Sequence, residues 1–409
     1  MKVLLIHQAF VSPQEAGGTR HFELARFARS RGHAITIVAS DLSYLSGKKH
    51  ENTQGLVVHQ EVEGIQVLRA YTYPSLHQSF VWRIVSFLSF MFTSVWAGLR
   101  AGPVDVVMGT SPPIFQAFSA WLVAFLKRKP LLLEIRDLWP DFAVDIGVLK
   151  NPLLIRASLW LEMFLYRRAS RILVNSPAYR LNIIAKGIPD SKISLIPNGV
   201  DPSMFDPAEK GADVRQQWKL GKAVVALYAG ALGMANDIPT ILRAAQLTKD
   251  NNDIIWVFAG DGKERAKLEA MARDLGVEHS TLFTGARPKA EMKQFMGAAD
   301  ICIATLRNIP MFKTTYPNKV FDYMAAGRPT VLGIDGVIRE VIESAEGGVF
   351  VQPGDAKALA EAVRSLAINP ELRKRQGEMA RAYVVQHFDR RQQAVQFLDL
   401  LQGFRDASA

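Results

Sequence analysis

The sequence contains one cysteine in 409 residues, and this scarcity excludes two kinds of site. A single thiol forms neither an internal disulfide nor a cysteine-based zinc site, so we expect a protein of a reducing, intracellular compartment. Cys302 lies in the apolar run DICIATL, where a small buried hydrophobic residue is a simpler interpretation than a nucleophile.

Long uninterrupted apolar runs are also missing. The N-terminus, MKVLLIHQAF, has an apolar run too short for a signal peptide, so it predicts a buried first strand. In the most apolar segment, from Phe80 to Leu99, Arg83 leaves about 16 uncharged residues before Arg100, fewer than the ~20 that span a bilayer. The alternatives are a buried helix and a helix whose Phe and Trp side chains lie in a membrane interface.

The formal net charge of +10 is unevenly distributed. Residues 1–200 contain 22 Lys and Arg against 13 Asp and Glu (22 − 13 = +9), whereas residues 201–409 contain 27 against 26 (+1). A basic first half indicates an anionic partner, although scattered solvated lysines are the alternative. The sequence has no nucleic-acid motif, so an anionic membrane and a diphosphate-linked acceptor explain the charge better than nucleic acid does.

Apolar runs alternate with helical patterns along the whole chain, which predicts an α/β fold with doubly wound parallel sheets. The length favours two large domains, and the turn-rich segment LIPNGVDPSMFDP at 195–207 marks the joint. We therefore predict a first domain at 1–198 and a second at 199–385. A C-terminal helix at 386–409 is expected to return to the first domain.

Ligands of such sheets bind beyond the carboxyl ends of the strands. Gly17 and Gly18 precede a helix, as does the Gly260–Gly262 loop, and both loops lack the third glycine of G-x-G-x-x-G. A dinucleotide-dependent dehydrogenase is therefore disfavoured, and ordinary strand-to-helix turns are the alternative. Arg136 and Asp137 follow the strand LLLE, where they form a structural ion pair, part of a substrate site, or both.

The stretch KTTYPNKVFDYMAAGRPT, residues 313–330, combines polar chemistry with a helix start. Pro317 suits the first turn of a helix, whose free N–H groups, together with the Lys319 ammonium, would converge on an anion. Asp322 suits the vicinal hydroxyls of a ribose. The alternative is a simple surface pair between Lys319 and Asp322 at i,i+3 spacing.

Ordered motifs over more than 300 residues give the chain a resemblance to family 4 retaining glycosyltransferases. The motifs are EAGGTRHFELA, RGHAITIV, EIRDLWP, IPNGVD, FAGDGKERAKLE, LFTGARPKAEM, AADICIATL, FDYMAAGRPTV and GGVFVQPGD. The resemblance implies the GT-B fold, in which two Rossmann-like domains face a central cleft. It also implies retaining transfer from a nucleotide-sugar donor, without a metal ion, to an acceptor on the first domain. Among subgroups, the chain is most similar to bacterial surface-polysaccharide transferases that add acetamido sugars, such as N-acetylfucosamine, to lipid-linked acceptors in lipopolysaccharide or O-antigen synthesis.

The resemblance also implies roles for individual residues. Gly17 and Gly18 would line the pyrophosphate and acceptor side, Asp322 would hold the ribose, and Gly230 would open the diphosphate loop. The base side would comprise Gly260, Asp261, Gly262 and Arg287. Backbone N–H groups near the phosphates would come from the run Tyr316, Pro317, Asn318 and Lys319.

Three departures from the family pattern affect the predicted catalytic group. Thr314 stands where the first glutamate of E-x7-E is usual, the loop AGALGMAND lacks an Arg and Lys pair, and Arg136 stands where a histidine is common. We therefore expect Lys319 to supply the missing cation. Arg136, Asp137 and Thr314 complete the predicted catalytic group.

The interpretation that follows is a UDP-sugar transferase without a separate cofactor, cytoplasmic and peripheral on the inner leaflet of the inner membrane. Two alternatives remain at this stage. One is a nucleotide-sugar-binding protein that has lost activity, because Thr314 replaces a contact residue. The other is a UDP-sugar epimerase of the same fold.

Overall fold

The computed structural model describes residues 1–15, 17–43, 47–50, 53–74, 80–250 and 253–406, with Phe80 and Val81 described by backbone only. The chain forms two compact units. The first contains Met1–Ser12, Gly18–Pro197 and Arg391–Ala409, and the second contains Pro13–Gly17 and Asn198–Arg390. The breaks after 197 and 390 differ slightly from the predicted breaks after 198 and 385, and the short segment 13–17 groups with the second unit.

Within the described residues, the first unit is built on an eight-stranded sheet of order β3-β4-β2-β1-β5-β6-β7-β8. Its ladders are parallel except for the β3–β4 pair at one edge. The strands are β1 Lys2–Ile6, β2 Ala34–Ser40, β3 Val57–Val62, β4 Ile65–Ala70, β5 Val106–Ser111, β6 Leu131–Ile135, β7 Arg171–Val174 and β8 Ile193–Leu195. The helices are α1 Arg20–Ser30, α2 Phe80–Arg100, α3 Ile114–Lys127, α4 Asp141–Asp145, α5 Pro152–Arg168 and α6 Pro177–Ala185, with a 3-10 turn at Asp190–Lys192.

The second unit has a six-stranded parallel sheet of order β11-β10-β9-β12-β13-β14 in the described chain. The strands are β9 Val224–Ala229, β10 Ile254–Ala259, β11 Thr281–Phe283, β12 Ile301–Thr305, β13 Thr330–Gly333 and β14 Gly348–Phe350. The helices are α7 Ala212–Gln217, α8 Ile238–Leu247, α9 Arg265–Asp274, α10 Met292–Ala298, α11 Asn318–Ala325, α12 Val337–Ser344, α13 Ala356–Ile368 and α14 Pro370–His387. Short 3-10 segments lie at Pro202–Met204, Met234–Asn236, Lys289–Glu291 and Pro310–Thr314.

The last helix, α15 Arg390–Asp406, supplies core side chains to the first unit. Phe397 and Leu401 are buried in one cluster with Val3 and Leu5 of β1 and Phe22 of α1. Alternate residues of β1 face the opposite layer, since a Cβ added to Gly98 of α2 would lie 3.5 Å from Leu4. The sheet is thus covered on both faces, as a parallel sheet with buried apolar strands requires.

Each sheet has one place where consecutive strands diverge to opposite sides. In the first unit β1 lies between β2 and β5, and in the second β9 lies between β10 and β12. Crevices open beyond the carboxyl ends of strands at such positions, and ligands of α/β proteins bind there. We therefore expect a ligand site among the residues that follow β1, β5, β9 and β12. Cys302, in contrast, is fully buried in β12, as the sequence predicts.

Candidate functional site

The Lys319 side chain lies at the divergence point of the second sheet. Its Nζ donates hydrogen bonds to Tyr228 Oη at 2.8 Å and to Asn236 Oδ1 at 2.9 Å. Tyr228 belongs to β9, and Asn236 lies in the loop that follows that strand. Burial lowers the pKa of the Lys319 ammonium to about 7. In these contacts the ammonium has no carboxylate partner, so the groups that hold it do not neutralise its charge.

The ammonium of Lys319 also reaches the loop that lacks basic residues of its own. A Cβ added to Gly230 would lie 3.2 Å from Lys319 Nζ, so the cation is directly beside the first residue after β9. The predicted compensation for the missing Arg and Lys pair therefore has a geometric basis. The sequence did not identify Tyr228 and Asn236, because they lie 91 and 83 residues before Lys319.

Two glycine loops pack directly against each other at this edge of the sheet. A Cβ on Gly260 would lie 1.8 Å from the Gly230 carbonyl oxygen, and one on Gly262 would lie 2.4 Å from the Leu232 carbonyl oxygen. Backbone hydrogen bonds join the same loops, from Gly230 N to Ala259 O and from Leu232 N to Asp261 O. These glycines are thus required for the approach of one loop to the other, whatever they do for a ligand.

Asp322 and Lys289 form an ion pair, with Lys289 Nζ 2.5 Å from Asp322 Oδ2. Both side chains are largely buried, and the pair is part of α11 and the 3-10 segment Lys289–Glu291. Asp322 therefore does not pair with Lys319, and the alternative of a Lys319–Asp322 surface pair is wrong. Lys289 was not among the predicted site residues, although it occurs in the motif LFTGARPKAEM.

Helix α11 begins one residue later than the sequence predicts. Pro317 is the N-cap residue and Asn318 is the first helical residue. Within the described part of the chain, Asn318 Oδ1 is buried and has no hydrogen-bond partner, which leaves an acceptor at the helix start. Tyr316 is held in place, because its carbonyl accepts a hydrogen bond from Asn198 Nδ2 at 2.8 Å and its ring packs edge-on against Phe321.

The other polar residues predicted for the nucleotide-sugar site form hydrogen bonds with residues that are close to them in the sequence. Thr314 donates through Oγ1 to the Met311 carbonyl at 2.6 Å. The guanidinium of Arg287 donates to the Thr284 carbonyl at 2.9 Å and lies 5.6 Å from the ring centroid of Trp218. Asp261 accepts from Gly262 N at 2.7 Å. The contacts described for Thr314 and Arg287 do not bring either residue to Lys319.

A buried charge cluster lies at the carboxyl end of β6 in the first unit. Glu134 Oε1 is 3.0 Å from Arg20 Nε, and its Oε2 is 2.5 Å from His21 Nε2. Burial alone would raise the pKa of the Glu134 carboxyl, but His21 and Arg20 hold that pKa well below its ordinary value. Arg20 also donates to the carbonyls of Ile196 and Pro197, so the cluster ties α1 to the segment after β8.

This cluster was not predicted, because Arg20 and His21 follow the glycine loop and resemble an ordinary polar first turn of a helix. One signal was present, since a glutamate between LLL and I in a buried strand requires buried partners. The glycines themselves lie exposed before this turn. Gly17 has a positive φ of 143° and belongs to the segment grouped with the second unit, whereas Gly18 belongs to the first.

His7, Thr110 and Arg136 meet at the carboxyl ends of the neighbouring strands β1, β5 and β6. Arg136 Nη1 lies 3.3 Å from His7 Nε2, and His7 Nδ1 lies 2.9 Å from Thr110 Oγ1. Because a guanidinium only donates, Nε2 is the acceptor and Nδ1 carries the proton. Burial, followed by the charges of His21 and Arg136, lowers the pKa of His7 well below its ordinary value, so the imidazole is neutral. Where the family pattern has a histidine at position 136, this chain has the imidazole of His7, directly after β1, beside Arg136.

Asp137 is also buried, and its hydrogen bonds differ from those of a simple pair with Arg136. Its Oδ1 accepts from Leu138 N at 3.0 Å and from Tyr179 Oη at 3.4 Å. Burial raises the pKa of Asp137 to about 6. The pKa of this carboxyl thus lies closer to neutral pH than that of an ordinary aspartate, which suits either proton transfer or hydrogen bonding to a hydroxyl.

Among the described residues there is no group of three or more His, Cys, Asp or Glu side chains arranged to hold a metal ion. One helix, Trp82–Arg100 within α2, has the length and apolar composition of a membrane span, and 28% of that window is buried in the protein.

Comparison with known proteins gives two consecutive family matches. Residues 16–199 match the glycosyl transferase 4-like domain, and residues 211–383 match glycosyl transferases group 1. The chain is 22% identical over 413 aligned positions to a putative colanic acid biosynthesis glycosyl transferase of Escherichia coli K12, covering 98% of this chain and all of that protein.

Solved structures share the same architecture. Sucrose-phosphate synthase from Thermosynechococcus elongatus has a TM-score of 0.78 at 18% identity and covers 99% of both chains. HepE from Anabaena, in complex with UDP-glucose, has a TM-score of 0.74 at 18% identity and covers 98% of this chain and all of that one.

These findings define the class of protein as a two-domain enzyme of the GT-B fold, which confirms the predicted fold class. The protein belongs to the GT-B glycosyltransferases of the family 4 type, with a 4-like domain followed by a group 1 domain.

Proposed function

We propose that the protein transfers an N-acetylated hexosamine or deoxyhexosamine from a UDP-sugar, with retention and without a metal ion, to a lipid-diphosphate-linked glycan acceptor. The product would belong to surface polysaccharide synthesis, of the lipopolysaccharide or O-antigen kind, on the cytoplasmic side of the inner membrane. The relatives support this context, because the E. coli relative is named for colanic acid biosynthesis and HepE was solved with UDP-glucose.

The observation that carries the proposal is the position of Lys319. Its ammonium is buried at the carboxyl end of β9, beside Gly230 and in the first turn of α11. The unpaired N–H groups of a helix start and a lysine cation both favour an anion at this place. The buried acceptor on Asn318 is suited to a donor group of the same ligand. A nucleoside diphosphate carries both an anion and such hydrogen-bond donors.

Stabilising the leaving diphosphate is the main catalytic requirement, because negative charge develops there as the bond to the sugar breaks. Lys319 supplies this charge in the proposed mechanism. Retention follows if the acceptor hydroxyl attacks from the same face as the departing phosphate, which accepts the acceptor's proton. Arg136, neutral His7 and Asp137 lie at strand ends of the first unit and would hold the acceptor hydroxyls.

The donor is identified by a thermal-shift screen of UDP- and GDP-sugars on the purified full chain, and we expect UDP-N-acetyl sugars to give the largest shift. Turnover is then measured as UDP release with lipid-diphosphate sugar acceptors, and NMR of the product gives the anomeric configuration. Lys319→Ala is expected to lower turnover about 100- to 1,000-fold, the usual effect of one lost electrostatic donor.

Lys313→Ala is the matched control, because Lys313 lies in the same segment but is half exposed and pairs with Asp335. Near-normal UDP release by Lys319→Ala would refute the role of Lys319. Donor binding without turnover on any acceptor would instead identify a binding protein, and interconversion of the nucleotide sugar without acceptor would identify an epimerase.

A further inference from the structure

Helix α2 has two faces with different surroundings. Phe90, Ser94 and Ala97 are completely buried, and at 100° per residue they lie on one side of the helix. Phe92 and Trp96 lie on the other side and are 68% and 47% exposed. The helix therefore packs on the sheet through one stripe and presents an aromatic stripe to the surroundings.

The neighbouring helices continue this apolar surface. Phe125 and Leu126 are exposed at the end of α3, and Leu153, Leu154 and Trp160 are exposed on α5. We call the set the aromatic face, and its members are Trp82, Phe92, Trp96, Phe125, Leu126, Leu153, Leu154 and Trp160. An exposed apolar set of this size marks an interaction surface rather than scattered surface residues.

The three helices are packed side by side, so the aromatic face is continuous. Phe87 of α2 stacks on Phe115 of α3, with ring centroids 6.2 Å apart. Trp121 of α3 contacts Phe164 of α5 edge-on at 4.8 Å, and Trp160 stacks on the same Phe164. A chain of rings thus joins α3 to α5 and ends at exposed Trp160.

Basic residues surround the aromatic face, and acidic residues are almost absent from it. The three helices with residues 128 and 129 contain eight Lys and Arg and a single acid, Glu162. Glu162 is buried and pairs with Lys186, so it does not offset the exposed charge. Seven of the eight basic residues are exposed, namely Arg83, Arg100, Arg128, Lys129, Arg156, Arg167 and Arg168. The guanidinium of Arg100 lies 3.9 Å from the centre of the Trp96 ring, so charge and aromatic surface are interleaved.

We propose that the aromatic face is the surface through which the first unit lies on an anionic lipid bilayer. Exposed Trp, Phe and Leu side chains insert at the headgroup level, and Lys and Arg side chains pair with anionic lipids. A second copy of the chain is a poor occupant, because each copy would bring seven exposed positive charges to the contact. Since one stripe of α2 is packed on the sheet, the helix lies on the membrane and does not cross it.

This role of the aromatic face rests on the proposed function and extends it, because the face would hold the enzyme at the layer where a lipid-linked acceptor lies. The test of the face requires no sugar transfer. The full chain is mixed with vesicles of phosphatidylcholine alone and of phosphatidylcholine with phosphatidylglycerol, and bound protein is measured by flotation. We expect strong binding to the anionic vesicles, weakened by salt, and quenching of tryptophan fluorescence by brominated lipids.

Two triple variants separate the apolar and electrostatic contributions. Phe92→Ser with Phe125→Ser and Trp160→Ser is expected to lower binding at least tenfold. Arg128→Gln with Lys129→Gln and Arg156→Gln is expected to lower it about fivefold per charge. The matched controls replace exposed residues of the second unit. They are Leu247→Ser with Ile368→Ser, and Lys357→Gln with Lys374→Gln and Arg375→Gln.

A UDP thermal shift in each variant shows that the fold and the donor site are intact, so loss of membrane binding is distinguished from failure of the donor proposal. The proposal is overturned if the wild type floats with neither kind of vesicle, or if the control variants lose as much binding as the test variants. It is also overturned if light scattering shows an oligomer that the aromatic variant dissociates while vesicle binding is absent.

Discussion

Lys289 Nζ and Asp322 Oδ2 lie 2.5 Å apart, and both side chains are largely shielded from solvent. The carboxylate that the resemblance assigns to a ribose is thus already oriented by a lysine from another segment of the second unit. Any hydroxyl contact at Asp322 would be made by a carboxylate whose position the ion pair fixes.

Removing one member of this pair should cost more than removing both. Lys289→Met or Asp322→Asn removes the ion pair and leaves the other charged group shielded from water, so we expect each to lower the free energy of unfolding by about 1–3 kcal/mol. The double variant should recover part of that loss. Urea unfolding of the four proteins measures the coupling, and strictly additive losses would show that the pair contributes nothing to stability.

The protonation of Lys319 should make UDP binding depend on pH. Burial lowers its pKa to about 7, below the ordinary value of 10.5. A bound diphosphate favours the ammonium form, so affinity for UDP should fall and proton uptake should rise as pH increases from about 6.5 to 9. Calorimetric titration in buffers of different ionisation enthalpy measures both quantities.

Lys319→Ala should bind UDP more weakly and lose this proton uptake, whereas Lys313→Ala should retain it. The sign for folding is opposite, because the unfolded chain holds the extra proton between pH 7 and 10.5. This group therefore makes the protein more stable as pH rises through that interval. UDP affinity that is level across the range would contradict the assignment.

Gly260→Ala should be among the most destabilising small substitutions in the second unit. The new Cβ would lie 1.8 Å from the Gly230 carbonyl oxygen, a backbone atom that cannot move without displacing the loop that follows β9. We expect a loss of about 3 kcal/mol or more in the free energy of unfolding, together with weaker UDP binding. Gly233→Ala is the matched control, since nothing lies within 4 Å of its added Cβ, and its effect should be about 0.5 kcal/mol or less. Equal effects of the two substitutions would exclude the close approach.

Glu134→Gln should destabilise the first unit. The substitution leaves Arg20 buried without a carboxylate partner, and we expect a cost of about 3–5 kcal/mol. Because the folded pKa of Glu134 is depressed, its contribution is present above about pH 4.3 and is lost as pH falls below that value. The variant should therefore lose less stability on acidification than the wild type does, as followed by circular dichroism. Glu361→Gln, at an exposed position, should behave like the wild type.

The sequence predicted two sheets of mostly parallel strands, because short apolar runs and helical periods are local properties. It did not predict the antiparallel strand β3 at the edge of the first sheet. The place of Lys319 in the first turn of α11 was likewise predictable, because a lysine at a helix start is a local pattern, whereas the role of this lysine stays a prediction. The sequence could not predict the hydrogen-bond partners that bury this lysine, since Tyr228 is 91 residues away. The interpretation of Asp322 was incomplete for the same reason, because its partner Lys289 is 33 residues away.

The first unit showed the same limit. Arg136 was expected to pair with Asp137, to bind substrate, or both, and the sequence did not predict the contact of its guanidinium with His7, which lies 129 residues earlier, directly after β1. Residues that contact each other across parallel strands are always distant in sequence, because each strand is followed by a crossover helix. Prediction of the elements therefore succeeds where prediction of their side-chain partners fails.

The return of α15 to the first unit has a consequence for synthesis of the chain. Phe397 and Leu401 complete a core that begins with Val3 and Leu5, so the first unit cannot close until residues 397–401 have left the ribosome. All described strands of the second unit, which ends at Arg390, are synthesised before α15 is. The half that is made first is thus the half that finishes folding last.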